Sequence, residues 1–366
     1  MKKKFSLFEI KDINFEEKNF LLLPGNDNFY QSENKEVAKY YLDYKNKYDF
    51  FLKIRKIKKI FFKHISSELN RLHNVSYSTK FWDILIGSWM EHFIELAYDR
   101  ILTIEFVLKK YDIDKIYLYK ENNNIVPNTT AHFLNNHNSD KFNFDIFGDI
   151  IRGINNLNII ELDNVKNNDN DGFDKSAYNV NLTINNKKKS LKFIDLLKEK
   201  NKKSKFFIQN SYLNRLEEII LKLSLNSLSS NKNFTQINQI QSNLNRDLRN
   251  KIKFDKIKNK KLKILFDLIK KYFPKSFIEN FHIFQNEIQQ SFLPNKPKVI
   301  FTSSLHYFDD YFCHYSAKKI EEGTKLFIGQ HGGMFGSAKL LNIENRDIRI
   351  ADIYFNWGWY KSNKGV

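Results

Sequence analysis

The chain has 366 residues, of which 42% are hydrophobic and 15% aromatic, so it can bury a sizeable core and is neither a peptide-like module nor a wholly disordered chain. Its net charge is +18, yet the lysines are dispersed among acids instead of forming one stripe, and a nucleic-acid-binding protein is not expected. The single cysteine, Cys313, excludes an intramolecular disulfide and a cysteine-based zinc cluster and fits a reducing compartment.

At the N-terminus a basic MKKK is followed by acidic residues before any apolar stretch of signal-peptide length forms. No run of roughly 18 apolar residues follows anywhere, so a cytoplasmic protein is expected, with its charge compatible with peripheral contact at the inner face of the membrane. Asn19 to Leu23, running into Pro24, Gly25 and Asn26, reads as a first strand closed by a turn that places Gly25 to Asp27 on a ligand-facing edge. Lys35 to His73 has helical periodicity. A second long helix is predicted from Ser78 to Lys109, with Ser78 or Thr79 as N-cap and Trp82, Leu85, Ile86, Trp89, Phe93, Ala97 and Ile101 on one apolar face. Arg100 lies about 20° from Phe93 on that wheel, so its guanidinium either pairs with a partner on a neighbouring element or serves as a phosphate clamp.

Tyr111 to Tyr119 reads as another strand. From Asn122 to about Lys260 asparagine-rich stretches favour turns, with a strand at Asn158 to Leu162 and a helix at Tyr212 to Leu225. Asp163 to Asp171 gathers carboxylates and amides without the spacing of a calcium loop, and reads as a solvated loop.

The C-terminal third carries the strongest pattern. PKVIFTSS (Pro297 to Ser304) reads as a buried strand, Phe308 to Glu322 as a helix closed by Gly323, and KLFIGQHGGMFG (Lys325 to Gly336) as a strand that empties into a histidine and two glycines. A strand, helix, strand unit pairs its strands in parallel, so both carboxyl ends share one sheet edge. This brings Ser303, Ser304 and His306 near Gln330 and His331, where Gly332 and Gly333 let a ligand approach main-chain N–H groups. A third parallel strand, DIYFNW, ends at Trp357, Gly358 and Trp359 and adds an aromatic wall. Trp82, Trp89, Trp357 and Trp359 read first as core aromatics, with Trp357 or Trp359 also able to stack on a sugar face. Glu344 and Asp352 read as caps or as partners of Arg346 and Arg349. The histidines lack metal-ligand spacing, and no GxSxG elbow, Walker loop or GxGxxG fingerprint is present.

Taken in order, NFLLLPGN, the block LNRLHNVSYSTKFWDILIGSWMEHFIELAYDR (Leu69 to Arg100), KYFPKSFIENF (Lys271 to Phe281), PKVIFTSS, IGQHGGMFG, Glu344 and ADIYFNWGW resemble transferases of bacterial surface-carbohydrate biosynthesis, related to two-domain GT-B glycosyltransferases. Pro24, Gly25 and Asn26, and Ser88 where the family usually has proline, depart from its pattern. The resemblance implies an α/β fold, a Rossmann-like parallel sheet flanked by helices like the N-terminal half of a GT-B enzyme. Residues 1–360 would form this acceptor-side domain, with helical additions and a loop-rich insertion near 122–260. Residues 361–366 would begin a C-terminal donor-binding domain that is otherwise missing and is supplied, on one view, by a separate polypeptide.

The activity implied is transfer of a sugar or related group from a nucleotide-activated donor to a glycan or lipid-linked acceptor, with no cofactor and no metal. His331 would be the general base, Gln330, Ser303 and His306 would orient the acceptor, Gly332 and Gly333 would bind a phosphate or carboxylate, Arg100 would neutralise phosphate, and Trp357 would contact the sugar. The rival readings are a noncatalytic acceptor-binding module and a basic protein that binds nucleic acid or anionic membrane.

Overall fold

The computed structural model describes residues 3–6, 20–22, 36–37, 44–121, 125–163, 200–225, 227, 242–255 and 257–359. Gly25 to Asp27, most of the acidic loop after Asp163, and residues 361–366 lie outside the described residues.

All strand pairs among the described residues are parallel, and they form two sheets. The first is built from β1 (Lys3–Ser6), β2 (Phe20–Leu22), β3 (Glu36–Val37), β4 (Ile113–Tyr119) and β5 (Ile159–Leu162), in the order β3-β2-β1-β4-β5. The second contains β6 (Phe206–Gln209), β7 (Val299–Thr302), β8 (Lys325–Gly329) and β9 (Ile353–Phe355) in chain order. Ile300 pairs with Leu326 and Ile328 with Tyr354, so the three C-terminal strands run parallel with their carboxyl ends on one edge, as the sequence predicts. This is an α/β fold of parallel sheets flanked by helices, consistent with a Rossmann-like architecture.

The helices are α1 (Tyr44–His73), α2 (Thr79–Lys110), α3 (Thr130–Asn136), α4 (Asp140–Arg152), α5 (Arg215–Ser224), α6 (Arg246–Asn250), α7 (Lys260–Tyr272), α8 (Phe281–Gln290), α9 (Leu305–Phe308), α10 (Asp310–Glu321) and α11 (Asn342–Ile350). The predicted helix at Lys35 to His73 therefore divides into β3 and α1. The predicted helix at Phe308 to Glu322 instead starts at Asp310, because Asp309 caps it by accepting from the Phe312 N–H at 2.9 Å.

Helix α2 organises the molecule. Ser78 is its N-cap, its hydroxyl accepting from the Phe81 N–H at 3.1 Å, and Lys109 and Lys110 sit in the last turn, where the helix dipole favours cations. It is apolar on more than one face, a pattern that requires burial all round, and it packs against α1, α4, α7, α10 and α11. Trp82 and Trp89 are fully buried on it. One continuous core links α2 to β4 through Ile116 and Leu118, and to the second sheet through Phe207, Ile300, Leu326 and Ile328. Among the described residues, no helix is long and apolar enough to cross a membrane.

Candidate functional site

The carboxyl ends of β7, β8 and β9 and the helix α11 above them enclose a cluster of buried polar groups. His306, on the single turn α9 just after β7, is fully buried and its Nε2 lies 2.8 Å from Oδ1 of Asp347, also fully buried, on α11. The predicted proximity of His306 and His331 holds: their ring centres are 6.3 Å apart, and the Tyr307 ring lies 6.0 Å from His331. Phe335 packs edge-on against His331 at 4.7 Å.

Four polar atoms in this cluster are buried with no hydrogen-bond partner: Nδ1 of His306, Nδ1 of His331, Oδ2 of Asp347 and the Tyr354 hydroxyl. Each such group is costly to leave unpaired, which makes this cluster the candidate site. Burial pushes the His331 ring below its ordinary value of 6.5; the Asp347 charge opposes that shift, His306 adds to it, and a bond to the Ser303 main chain opposes it again. Nδ1 of His331 meets no protein partner, and in the neutral ring one of the two nitrogens carries a lone pair. Tyr354 is pushed up by burial and then by the charges of Asp347 and Glu344, which holds its hydroxyl protonated as a donor.

The other predicted site residues occupy distinct places. Gln330 fastens the loops around the site: its Oε1 accepts from the Trp357 N–H at 3.0 Å and the Trp359 indole at 2.8 Å, and its Nε2 donates to the Gly332 carbonyl at 2.8 Å. Its amide thus shapes the site's walls. Ser303 is buried, and its N–H donates to the Asn210 carbonyl at 3.0 Å. Gly332 and Gly333 begin the turn beyond β8, and among the described residues neither N–H meets a protein acceptor. A side chain added at Gly333 would meet nothing within 4 Å, so the space above it is open. Trp357 is 65% exposed, with its ring facing outwards. Arg100 does not join this group. Its Nε donates to Asn143 on α4 at 3.0 Å, its Nη1 meets Asp99 at 2.6 Å, and it covers the Phe147 ring, about two helical turns beyond the part of α2 that reaches the histidines.

Sequence reasoning missed the part played by α2 and α11. Ser88, noted only as a departure, donates its hydroxyl to the Tyr307 carbonyl at 2.6 Å. His92, one turn on, lies with Nδ1 2.8 Å from the Ser88 carbonyl and Nε2 2.6 Å from the Tyr307 hydroxyl, which fixes that tyrosine beside His331. Glu344 accepts from the Gly336 N–H at 2.9 Å, and Asp352 accepts from the Leu326 N–H at 2.8 Å and pairs with Lys80 at 3.2 Å. Arg346 and Arg349 turn instead to Asp83 on α2: Arg349 Nε meets it at 2.7 Å, and Arg346 donates to the Asp83 and Ile84 carbonyls at 2.8 and 3.2 Å. Nothing in the local sequence marks these pairings, which join α11 to a helix far earlier in the chain.

Among the described residues, no group of three histidine, cysteine, aspartate or glutamate side chains is arranged to hold a metal ion. The fold and this edge define an α/β protein whose candidate site is a cluster of buried imidazoles at the carboxyl ends of parallel strands, the edge where open α/β sheets commonly take ligands. Residues 2–366 match the family model described as LIC12162 family transferase, so the chain belongs to that family, and the family's label places it among the transferases. No curated protein and no solved structure matches the chain.

Proposed function

We propose that the protein transfers a sugar or sugar-like group from a nucleotide-activated donor to a hydroxyl of a bacterial surface glycan or its lipid-linked precursor, without a resident metal, at the inner face of the membrane. The observation that carries this reading is the unpartnered Nδ1 of His331 beside the buried His306–Asp347 pair. A neutral imidazole with a free lone pair is suited to take the proton from an acceptor hydroxyl as its oxygen attacks the donor's anomeric carbon and the nucleotide's phosphate oxygen leaves that carbon with the electron pair of the broken bond. Asp347, close enough to oppose the depression of His331 by burial, stabilises the imidazolium that this step creates. The open N–H groups of Gly332 and Gly333 suit an anionic oxygen of the donor.

Nδ1 is buried and the Phe335 ring packs edge-on against the imidazole, so an acceptor reaches Nδ1 only with some local movement. The test is turnover of a panel of nucleotide sugars by the wild type and by His331→Ala, with the melting temperature of each as a control for folding. The expected result is a loss of about 10²–10⁴ in kcat at an unchanged melting temperature. Retained turnover removes His331 from the role of base.

A further inference from the structure

A cavity of about 740 Å³ opens between α1, α2 and α11, well within the size of small-molecule sites. It lies across α11 from the histidines: Asn342, Asn345 and Arg349 face the cavity, while Asp347 on the same helix faces His306. Its charge is unbalanced. Six cations line it against two carboxylates, Asp83 and Glu91. Both carboxylates are already engaged, Asp83 with Arg349 at 2.7 Å and Glu91 with the buried Lys58 at 2.7 Å. The remaining cations, Arg55, Lys56, Lys59 and Lys63, form no ion pair among the described residues.

Lys56, Lys59 and Lys63 follow one another at i, i+3 and i+7, so three like charges stand on a single stripe of α1 at the cavity mouth. Such a stripe repels itself, and a bound anion relieves it. The floor is different in kind, lined by Phe62 and the buried Met90, with Leu52 39% exposed at the edge. A cationic rim over an apolar floor matches a ligand with a charged head and an apolar body.

We infer that this cavity binds a phosphate-headed amphiphile, a phosphate or diphosphate borne on an apolar chain, with the head on Lys56, Lys59 and Lys63 and the chain against Phe62 and Met90. The site stands independently of the role proposed for His331. Binding to the full chain is measured by calorimetry with farnesyl diphosphate, farnesol, inorganic pyrophosphate and uridine diphosphate. Farnesyl diphosphate is expected to bind more tightly than the other three. The exposed double variant Lys59→Glu/Lys63→Glu should weaken it by about tenfold or more, Phe62→Ala should weaken it as well, and His331→Ala should leave it unchanged. The inference is overturned by no binding of farnesyl diphosphate, by binding indifferent to the lysine reversal, or by pyrophosphate or uridine diphosphate binding as tightly.

Discussion

At the scale of single residues, the glycines of the histidine loop divide into two kinds. Gly336 has φ +79°, and a side chain there would stand 2.6 Å from the Trp359 ring, so both backbone and space demand glycine. Gly333 has neither constraint, and the space above it is open. Gly336→Ala is expected to cost about 1–3 kcal/mol of stability, whereas Gly333→Ala keeps its unfolding midpoint and loses donor affinity. Chemical denaturation of the two variants beside a donor-binding assay separates them; equal stability losses would contradict the distinction. His331 and its flanking glycines were legible in the sequence because an apolar strand running into them fixes their place on the sheet edge. Asp347 was not, because a carboxylate on a short polar helix reads as solvated until its partner, His306, 41 residues earlier, is seen.

At the scale of elements, α2 was the most legible helix and the reasons for its sequence the least. Its apolar periodicity predicts a buried helix, but Gly87 in its middle costs helix stability and finds its reason only in the fold. A side chain at Gly87 would lie 2.7 Å from Nε of Arg346, so the glycine makes room for a buried guanidinium on α11. Gly87→Ala is expected to destabilise the protein by about 1–3 kcal/mol despite the better helix former; a gain in stability would show that α2 and α11 are not locked this way. The packing of α10 on α8 gives a second prediction. His314 on α10 is fully buried, its Nδ1 3.0 Å from Gln285 of α8, and burial drives its pKa down to about 3. The unfolded chain therefore binds a proton below about 6.5 that the folded chain refuses until far lower pH, and stability falls as pH drops through that window. Urea midpoints should show the wild type losing stability relative to His314→Gln between pH 7.5 and pH 5. Parallel pH profiles would mean the ring titrates freely.

At the scale of the whole molecule, the parallel C-terminal strands, β4, β5 and the α/β class were open to sequence reading, because short apolar runs bounded by turn residues and helices leave few topologies. The division into two sheets was not. Strand β6, Phe206–Gln209, lies in the asparagine-rich stretch whose composition favours turns, and its pairing with β7 is a long-range contact that local pattern does not show. The pairing of Asp83 with Arg346 and Arg349 joins residues more than 260 apart, and only the packed fold reveals that Asp83 and Arg346 are buried while Arg349 stays half exposed.

The central claim is that His331, biased by Asp347, takes the acceptor's proton, and the pH dependence of kcat/KM tests it most directly. Burial sets the ring below 6.5 and Asp347 holds it up, so activity should fall on an acid limb centred below pH 6.5, and Asp347→Asn should move that limb to still lower pH. A flat acid profile, or a limb that stays in place when Asp347 loses its charge, would contradict the account.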